Sequence, residues 1–356
     1  MDKPPEEAAA QMSKTIQLFR TSGGSRIYQV PLDVFPGYPG YVYLVLAEDA
    51  GRGEAYRVLI DTGSGIGDSN QQLERGLRDI SEREGRELGL ADLTHVLITH
   101  AHIDHFGGLG YIRPRTPAKI GVHELDRRIL THYEERLVVV GRRLDEFLIE
   151  AGVTDERRAY LLQMYLMTKS LYHSVKVDFT YEAVGMQVGP FKFLHVPGHC
   201  AGHVVARLDD VLFTGDHILA HTSPHQSPER LTLSTGLDHY LHSLEALRGW
   251  VGGIRIGLGG HEQPMTGIPA RIDAIRQLHA ERLDRVLDLL AEPHTTAEVS
   301  HGLFGEVHGY NTLLALEEAG AHIEYLAQRG LLGIANLAEL EGGNRASIQY
   351  YRLNGD

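Results

Sequence analysis

Thr99-His100-Ala101-His102-Ile103-Asp104-His105 directly follows a short apolar run of the chain. This stretch places three imidazoles and one carboxylate within six residues, at the exit of a predicted strand. Neutral imidazoles and carboxylates are the ligands that zinc and similar divalent metals take in proteins. Because side chains at i and i+2 of an extended turn point the same way, His100 and His102 are predicted to hold one metal ion. Asp104 and His105, on the next bend, are predicted to hold a second.

Three more candidate metal ligands lie at the ends of other predicted strands. His199, Asp216 and His261 each come shortly after a β-branched or apolar run. Each has neighbouring glycines, which allow the backbone to turn sharply and to approach a metal closely. We therefore expect these three side chains to join the first stretch at one site.

The composition favours a globular protein and narrows its partners. The 356 residues are 42% hydrophobic and 23% charged, which suits one large domain and one small one. A formal net charge of −13 opposes a surface that follows nucleic-acid phosphates. No run is apolar enough for a signal peptide or a membrane span, and the single cysteine, Cys200, is predicted to be a passive buried thiol. A cytoplasmic protein is expected.

The order of predicted elements indicates an α/β layered domain. Short strand-like runs alternate with helical patterns up to about residue 270. We expect a flexible arm at residues 1–20, a catalytic domain at 21–270, and a smaller domain at 271–356. An insertion at about 124–183 is nearly free of strand signals and is predicted to contain two helices, separated at Gly152-Val153.

The second helix of this insertion is apolar around most of its circumference, so it must bury two sides. Two interpretations stay open. The helix packs in the core or in a homodimer contact, or it forms a lid over a substrate pocket. In the second case Met164, Tyr165 and Tyr172 are candidate substrate-binding residues, and His225, in the loop after Asp216, is another.

The last 86 residues carry three predicted helices and a hairpin-like tail, the pattern of a winged-helix module. Such modules often bind DNA, but residues 291–356 hold three basic and nine acidic side chains. A helix that enters a DNA groove needs Lys or Arg against the phosphates. Nucleic acid is therefore not an expected partner. The C-terminal segment is expected to have a structural or dimerising role.

The order H-x-H-x-D-H, then H, D and H, over about residues 25–270, resembles the dinuclear hydrolases of the metallo-β-lactamase superfamily. The resemblance implies an αββα sandwich with the site along one edge of its two sheets. The segment that runs from Leu303-Phe304-Gly305 to His322-Ile323-Glu324-Tyr325-Leu326 resembles the winged-helix extension of a lactamase-B-like subgroup.

The resemblance also implies a role for each site residue. The implied ligands are His100, His102 and His199 for one ion, Asp104, His105 and His261 for the other, and Asp216 as the bridge between both. Zinc is the expected metal, with iron or manganese as alternatives. Asp61, in Asp61-Thr62-Gly63, matches the carboxylate that orients ligands through hydrogen bonds. His203 is expected to pack or to hydrogen-bond behind His199.

The expected chemistry follows from two adjacent divalent ions. They lower the pKa of a shared water, so hydroxide forms at neutral pH and attacks a carbonyl carbon. Asp104 is expected to orient this hydroxide, and Asp104 and Asp216 are the predicted catalytic residues. The expected substrate is a thioester, a lactone or a related ester of a small molecule with an apolar or acyl portion. Two alternatives stay open: an endoribonuclease of the winged-helix subgroup, and a mononuclear-iron oxygenase that resembles persulfide dioxygenases.

Overall fold

The computed structural model describes residues 15–49, 51, 53–342 and 345–353. It divides into two compact units. The first unit comprises the described parts of residues 1–133, 172–224 and 244–272, and the second comprises those of 134–171, 225–243 and 273–356. Most of the predicted insertion therefore groups with the C-terminal segment.

One layer of the first unit is a seven-stranded sheet, in the order β1 to β7. The strands β1 to β4 pair antiparallel and β4 to β7 pair parallel. The strands are β1 (Gln17–Arg20), β2 (Arg26–Phe35), β3 (Tyr38–Asp49), β4 (Glu54–Ile60), β5 (His95–Leu97), β6 (Lys119–Val122) and β7 (Phe179–Thr180).

Strand β1 corrects the predicted flexible arm. Residues 17–20 were expected in the arm, but they pair with β2, and Phe19 packs against the buried core. This apolar contact offsets the entropy lost when the segment is ordered. The part of the predicted arm at residues 1–14 lies outside the described residues.

The second layer is a five-stranded sheet, in the order β12-β11-β10-β9-β8. Its strands are β8 (Gln187–Val188), β9 (Phe191–His195), β10 (Val204–Leu208), β11 (Val211–Gly215) and β12 (Ile256–Gly259). Only β11 and β12 pair in parallel among these neighbours. Apolar side chains from both sheets, such as Val45, Val58, Phe193 and Phe213, form one shared core. The predicted α/β sandwich is confirmed.

Helices cover the other face of the seven-stranded sheet. They are α1 (Ser69–Glu84), α2 (Ile103–Phe106), α3 (Leu109–Ile112) and α4 (Glu124–Thr131). On α1, Leu73, Leu77 and Ile80 recur at helical spacing and are buried against this sheet, where Val30 is among their neighbours in the same cluster.

The remaining helices lie wholly or partly in the second unit. They are α5 (Tyr133–Glu150), α6 (Asp155–Lys169), α7 (Leu237–Trp250), α8 (Ile268–Leu289), α9 (Thr296–Phe304), α10 (Tyr310–Gln328) and α11 (Leu337–Glu341). Strands β13 (Leu332–Ile334) and β14 (Tyr350–Arg352) pair antiparallel. The hairpin expected in the tail is therefore present, and the winged-helix assignment stays a prediction. None of the described helices is both long and apolar enough to span a membrane.

The insertion contains three helices, α4 to α6, and not the two that were predicted. The additional break falls at His132, whose backbone (φ −136°, ψ 49°) leaves the helical region after α4. The predicted break before α6 is present. On α6, Leu161 and Tyr165 are buried in the core of the second unit, but Tyr160 and Met167 are 56% and 63% exposed. The helix therefore buries one side within this chain.

Candidate metal centre

The site residues stand where strands of both sheets end. Asp61 directly follows β4, the 99–105 stretch follows β5, and Asp216 directly follows β11. His261 comes two residues after β12, and His199 lies in the 196–203 loop between β9 and β10. Strands β4 and β5 are parallel, as are β11 and β12, so their carboxyl ends meet at one edge of the sandwich.

Three histidines form the first ligand set, namely His100, His102 and His199. One ligand nitrogen of each lies within 4.8 Å of the other two. His100 Nε2 is 3.1 Å from His102 Nδ1, and the rings of His102 and His199 have centroids 4.5 Å apart. His100 is fully buried, whereas His102 is partly exposed. His102 is therefore the member of this set that reaches the protein surface.

The second ligand set comprises Asp104, His105, Asp216 and His261, again with ligand atoms within 4.8 Å of one another. His261 Nε2 lies 3.2 Å from Asp104 Oδ2 and 3.5 Å from Asp216 Oδ2. His105 Nε2 lies 3.3 Å from Asp216 Oδ2. The sets adjoin, since the rings of His100 and His105 have centroids 4.1 Å apart. The bridging role of Asp216 stays a prediction.

Hydrogen bonds fix the tautomers of three ligand histidines. His105 Nδ1 is 2.8 Å from Asp61 Oδ2, and His261 Nδ1 is 2.9 Å from the carbonyl oxygen of Pro39. Both acceptors take a hydrogen bond from Nδ1, so Nε2 is the ring nitrogen that faces the site. The Thr99 hydroxyl donates to Asp61, so it accepts a hydrogen bond from His100 Nδ1. His100 therefore also carries a proton on Nδ1 and turns Nε2 toward the site. Metal-binding histidines are typically oriented in this way.

The electrostatics of the sets suit a cation. Burial and the neighbouring imidazoles, His105 first, hold the pKa of His100 well below its usual value, so this ring is neutral. Burial opposes ionisation of Asp104 and Asp216, but His105 and His261 keep the pKa of both carboxyls well below their usual range. These are the protonation states that metal binding requires.

The orphaned polar atoms of the second set also fit a metal. His105 Nε2 and Asp216 Oδ1 are buried and have no hydrogen-bond partner among the described residues. Burial lowers the pKa of His105, but the carboxylates of Asp216, Asp61 and Asp104 raise it overall, well above its usual value. The carboxylates of Asp104 and Asp216 lie close together and need positive charge beside them, which a divalent cation would supply.

Two further buried side chains adjoin the ligands and accept hydrogen bonds from the backbone, one from the ligand Asp216 and one from the loop after it. His203 stacks on His100, with centroids 4.5 Å apart, and its Nε2 accepts a 3.1 Å hydrogen bond from Asp216 N. His203 thus lies behind the ligands, although its role in the reaction stays a prediction. Glu262, which sequence reasoning missed, accepts hydrogen bonds from the backbone N–H groups of His221 and Thr222. Its position next to His261 was the available signal.

The predicted substrate-binding residues fall in different units. Tyr172 belongs to the first unit; its side chain is buried and its hydroxyl has no hydrogen-bond partner among the described residues. Burial, and then the charge of Asp104, raise the pKa of this hydroxyl. Tyr165 is buried in the core of the second unit, against which Met164 also packs. His225, in the second unit too, pairs with Glu317 at 2.9 Å, and its substrate role stays a prediction, as do the others.

Tyr38, the first residue of β3, is a further residue at this site. Its ring packs on the His261 ring with centroids 4.8 Å apart, and it is 40% exposed. Nothing in the local sequence distinguishes this tyrosine from the chain's others. It becomes a candidate only because the β2–β3 hairpin reaches the strand ends.

A third group of potential ligands lies in the second unit: His279, Glu318 and His322. His279 Nδ1 is 3.1 Å from His322 Nε2, while Arg282 Nη1 is 3.0 Å from Glu318 Oε1. Gln226 N donates to the other Glu318 oxygen at 2.7 Å. Because the carboxylate is already balanced by a guanidinium, this group is a structural polar network.

Comparison with known proteins agrees with this geometry. Residues 36–293 match the family described as "Metallo-beta-lactamase superfamily". The Bacillus subtilis (strain 168) protein named "Probable metallo-hydrolase YqjP" is 26% identical over 298 residues, which cover 80% of this chain and 86% of that protein. The atrochrysone carboxyl ACP thioesterase of Aspergillus fumigatus is 24% identical over 245 residues, which cover 68% of this chain and 44% of the thioesterase.

Solved structures agree with the fold. The metallo-beta-lactamase family protein TTHA1429 from Thermus thermophilus superimposes with a TM-score of 0.70 at 25% identity, over 92% of this chain and 98% of that one. A beta-lactamase domain protein from Burkholderia ambifaria gives a TM-score of 0.68 at 22% identity, over 95% and 94%. With a family match over more than half of its length, this chain belongs to the metallo-β-lactamase superfamily.

Proposed function

We propose that this protein is a dinuclear metal-dependent hydrolase that cleaves a thioester, a lactone or a related ester of a small molecule. The observation that carries the proposal is the adjacency of the two ligand sets, a neutral imidazole set and a carboxylate-rich set. Zinc is the proposed metal, because histidine nitrogens and carboxylate oxygens are ligands that it takes readily. Asp216 is proposed to bridge the two ions.

The metal pair, when bound, would supply a water of lowered pKa and an electrophile for the substrate carbonyl oxygen. The chain's own residues then orient the reactants. Asp104, with Oδ2 3.2 Å from His261 Nε2, is proposed to hold the attacking water by a hydrogen bond and to accept its proton. No serine or cysteine nucleophile is required, and Cys200 is buried against Asp126.

The proposed substrate carries an apolar or acyl portion. Tyr172 offers a buried hydroxyl that is available to donate a hydrogen bond to a substrate oxygen. Tyr38 offers an exposed ring beside His261, against which an apolar group can pack. The thioesterase among the relatives supports an acyl thioester as the first substrate to test. The homodimer and the cytoplasmic location that the sequence predicts stay predictions.

The test combines metal analysis with a substrate panel. Protein purified without added metal is analysed for zinc, iron and manganese by mass spectrometry. It is then incubated with acyl thioesters of increasing chain length, with lactones, with a short RNA and with a persulfide under oxygen. We expect about two zinc ions per chain and turnover of a thioester or a lactone.

The other outcomes decide between the alternatives. RNA cleavage without ester turnover would replace the proposal with the endoribonuclease. One iron per chain together with oxygen consumption on the persulfide would replace it with the oxygenase. In each case loss of activity in Asp216→Ala is needed to assign the reaction to this site.

A further inference from the structure

Asp126, on the first turn of α4, joins two loops of the site. It is fully buried. Its Oδ2 atom accepts a 2.9 Å hydrogen bond from Ala101 N, and its Oδ1 atom accepts a 2.8 Å hydrogen bond from Gly202 N. The Cys200 thiol lies 3.4 and 3.5 Å from the two oxygens and donates to the same carboxylate.

These two loops supply the whole first ligand set. Ala101 stands between His100 and His102, and Gly202 follows His199 by three residues. Hydrogen bonds to a charged acceptor are stronger than neutral ones, and burial strengthens them further. One carboxylate therefore ties the two loops together at the ligand positions, beside the backbone hydrogen bond from Val204 N to Thr99 O.

The local packing is built for this contact. A Cβ atom on Gly202 would lie 2.5 Å from Cγ and 2.8 Å from the backbone N of Asp126. Because the second of these atoms belongs to the backbone of α4, a larger residue at position 202 would fit only if the helix were displaced. Glycine at this position is what allows the carboxylate to reach the loop.

Contacts of His123 hold the first turn of α4 in place. His123 caps the helix, as its Nδ1 accepts a 3.2 Å hydrogen bond from Leu125 N, and its Nε2 is 2.5 Å from Glu182 Oε1. The His123 ring also stacks on His195, with centroids 3.7 Å apart. His195 Nε2 in turn donates to the carbonyl oxygen of Ala201 at 2.8 Å. The contacts of His123 and His195 thus hold Asp126 next to the 196–203 loop.

We propose that Asp126 is a positioning residue for the first ligand set, holding the 99–105 stretch and the 196–203 loop at the separation that metal binding requires. The inference rests on the proposed metal-dependent function, which it deepens. The hydrogen bonds from Ala101 and Gly202 join Asp126 to the backbone of the two loops, so its effect passes through that backbone.

Asp126→Asn tests this with almost no change of volume. The amide has one acceptor oxygen and one donor nitrogen, so one of the two backbone N–H groups must face a donor. We expect the affinity of the first ligand set for zinc to fall by about tenfold to a hundredfold. Gly202→Ala, which leaves the carboxylate in place but pushes it from the loop, should have the same effect.

Asp178→Asn is the matched control. Asp178 also accepts from a backbone N–H, that of Ile120 at 2.9 Å, and from Arg113, and neither partner belongs to the two loops. Its substitution is expected to leave zinc affinity unchanged, even where it lowers the unfolding midpoint. Stability of the metal-free proteins, followed by circular dichroism, separates loss of fold from loss of positioning.

The measurements are zinc competition against a chromophoric chelator and the absorption spectrum of the Co²⁺-substituted full chain. The proposal is supported if zinc affinity falls and the cobalt spectrum changes in Asp126→Asn and Gly202→Ala, but not in Asp178→Asn. Wild-type affinity and an unchanged spectrum in whichever of Asp126→Asn and Gly202→Ala folds overturn it. No substrate enters these measurements, so a failure of the ester panel refutes the hydrolase proposal without affecting this one.

Discussion

At the scale of single residues, this site depends on which ring nitrogen carries a proton. His105 and His261 each donate from Nδ1 to a fixed oxygen, and each presents Nε2 to the second ligand set. The acceptors are Asp61 and the backbone of Pro39, both outside the ligand sets. The orientation of the ligands is therefore established before a metal binds, which lowers the entropic cost of binding.

His102→Ala is expected to lower ester turnover by about a hundredfold or more, while the protein stays folded. The reason is that His102 is partly exposed, so its removal deletes a ligand without emptying the core. Turnover and zinc content are measured side by side with circular dichroism. His132→Ala, at the end of α4 and away from the ligand sets in sequence, is the control. Full activity in His102→Ala would remove this residue from the site.

At the scale of elements, α6 separates the two interpretations of the insertion. Its buried side packs within the second unit through Leu161 and Tyr165, and its other side exposes Tyr160 and Met167. Packing explains the first side. The exposed side is the part of the helix that a lid or a homodimer contact would use.

Met164→Ala tests the lid. Met164 is partly buried, so its truncation is expected to leave the protein folded. If the helix covers the substrate, the variant should change the preference between long and short acyl thioesters more than it changes kcat. The readout is the ratio of kcat/KM values across chain lengths. An unchanged ratio would favour packing, and Thr168→Ala on the same helix serves as the comparison.

Thr295 begins α9 with a reciprocal capping arrangement. Its hydroxyl accepts from Glu298 N at 3.3 Å, and its own N–H donates to Glu298 Oε2 at 2.7 Å. Thr295→Ala is expected to lower the free energy of unfolding by about 1 kcal/mol, because the Glu298 N–H loses its partner. Urea denaturation measures this change. Thr295→Ser, which keeps the hydroxyl, should stay close to wild type.

At the scale of the whole molecule, stability should depend on pH through buried histidines of the second unit. Burial, with lesser effects of His322 and Arg282, lowers the pKa of His279 to about 3, although Glu318 opposes this. Burial also opposes protonation of His225, but Glu317 and Glu318 raise its pKa to about 9. The two shifts act in opposite directions.

The sign follows from proton uptake. Below pH 6.5 the unfolded chain protonates His279 and the folded chain does not, so this group costs about 2 kcal/mol of stability between pH 7 and pH 5. His225 contributes stability that is fully present below pH 6.5 and is lost as the pH rises through about 9. Taken by themselves, these two groups give stability slopes of opposite sign on either side of pH 6.5.

Urea unfolding of the metal-free protein from about pH 5 to about pH 9 checks this dependence. His279→Gln should flatten the acid side of the profile, and His225→Gln should flatten the alkaline side. The metal-free form is used because loss of metal in acid would otherwise add its own pH dependence. An acid limb that is equally steep in wild type and His279→Gln would contradict the prediction.

The fold class and the candidate ligands could be predicted from the order of residues along the chain. Local spacing is the reason for the ligand candidates, since His100, His102, Asp104 and His105 fall within one short stretch after a strand. The remaining candidates stand at the ends of other strands, and strand ends can be inferred from apolar runs bounded by glycine. The helix break at His132 was missed, because no Pro or Gly marks it.

The contacts that hold the ligands and other buried polar side chains could not be predicted in this way. Asp126 meets Ala101 across 25 positions of the chain and Gly202 across 76, and His225 meets Glu317 across 92. Such pairings carry no local signal, because a carboxylate that accepts from the backbone constrains no neighbouring residue type. The candidate ligands can be found from the short-range spacing of side chains, whereas the rigidity that orients them comes from long-range contacts that form only when the sheets pack.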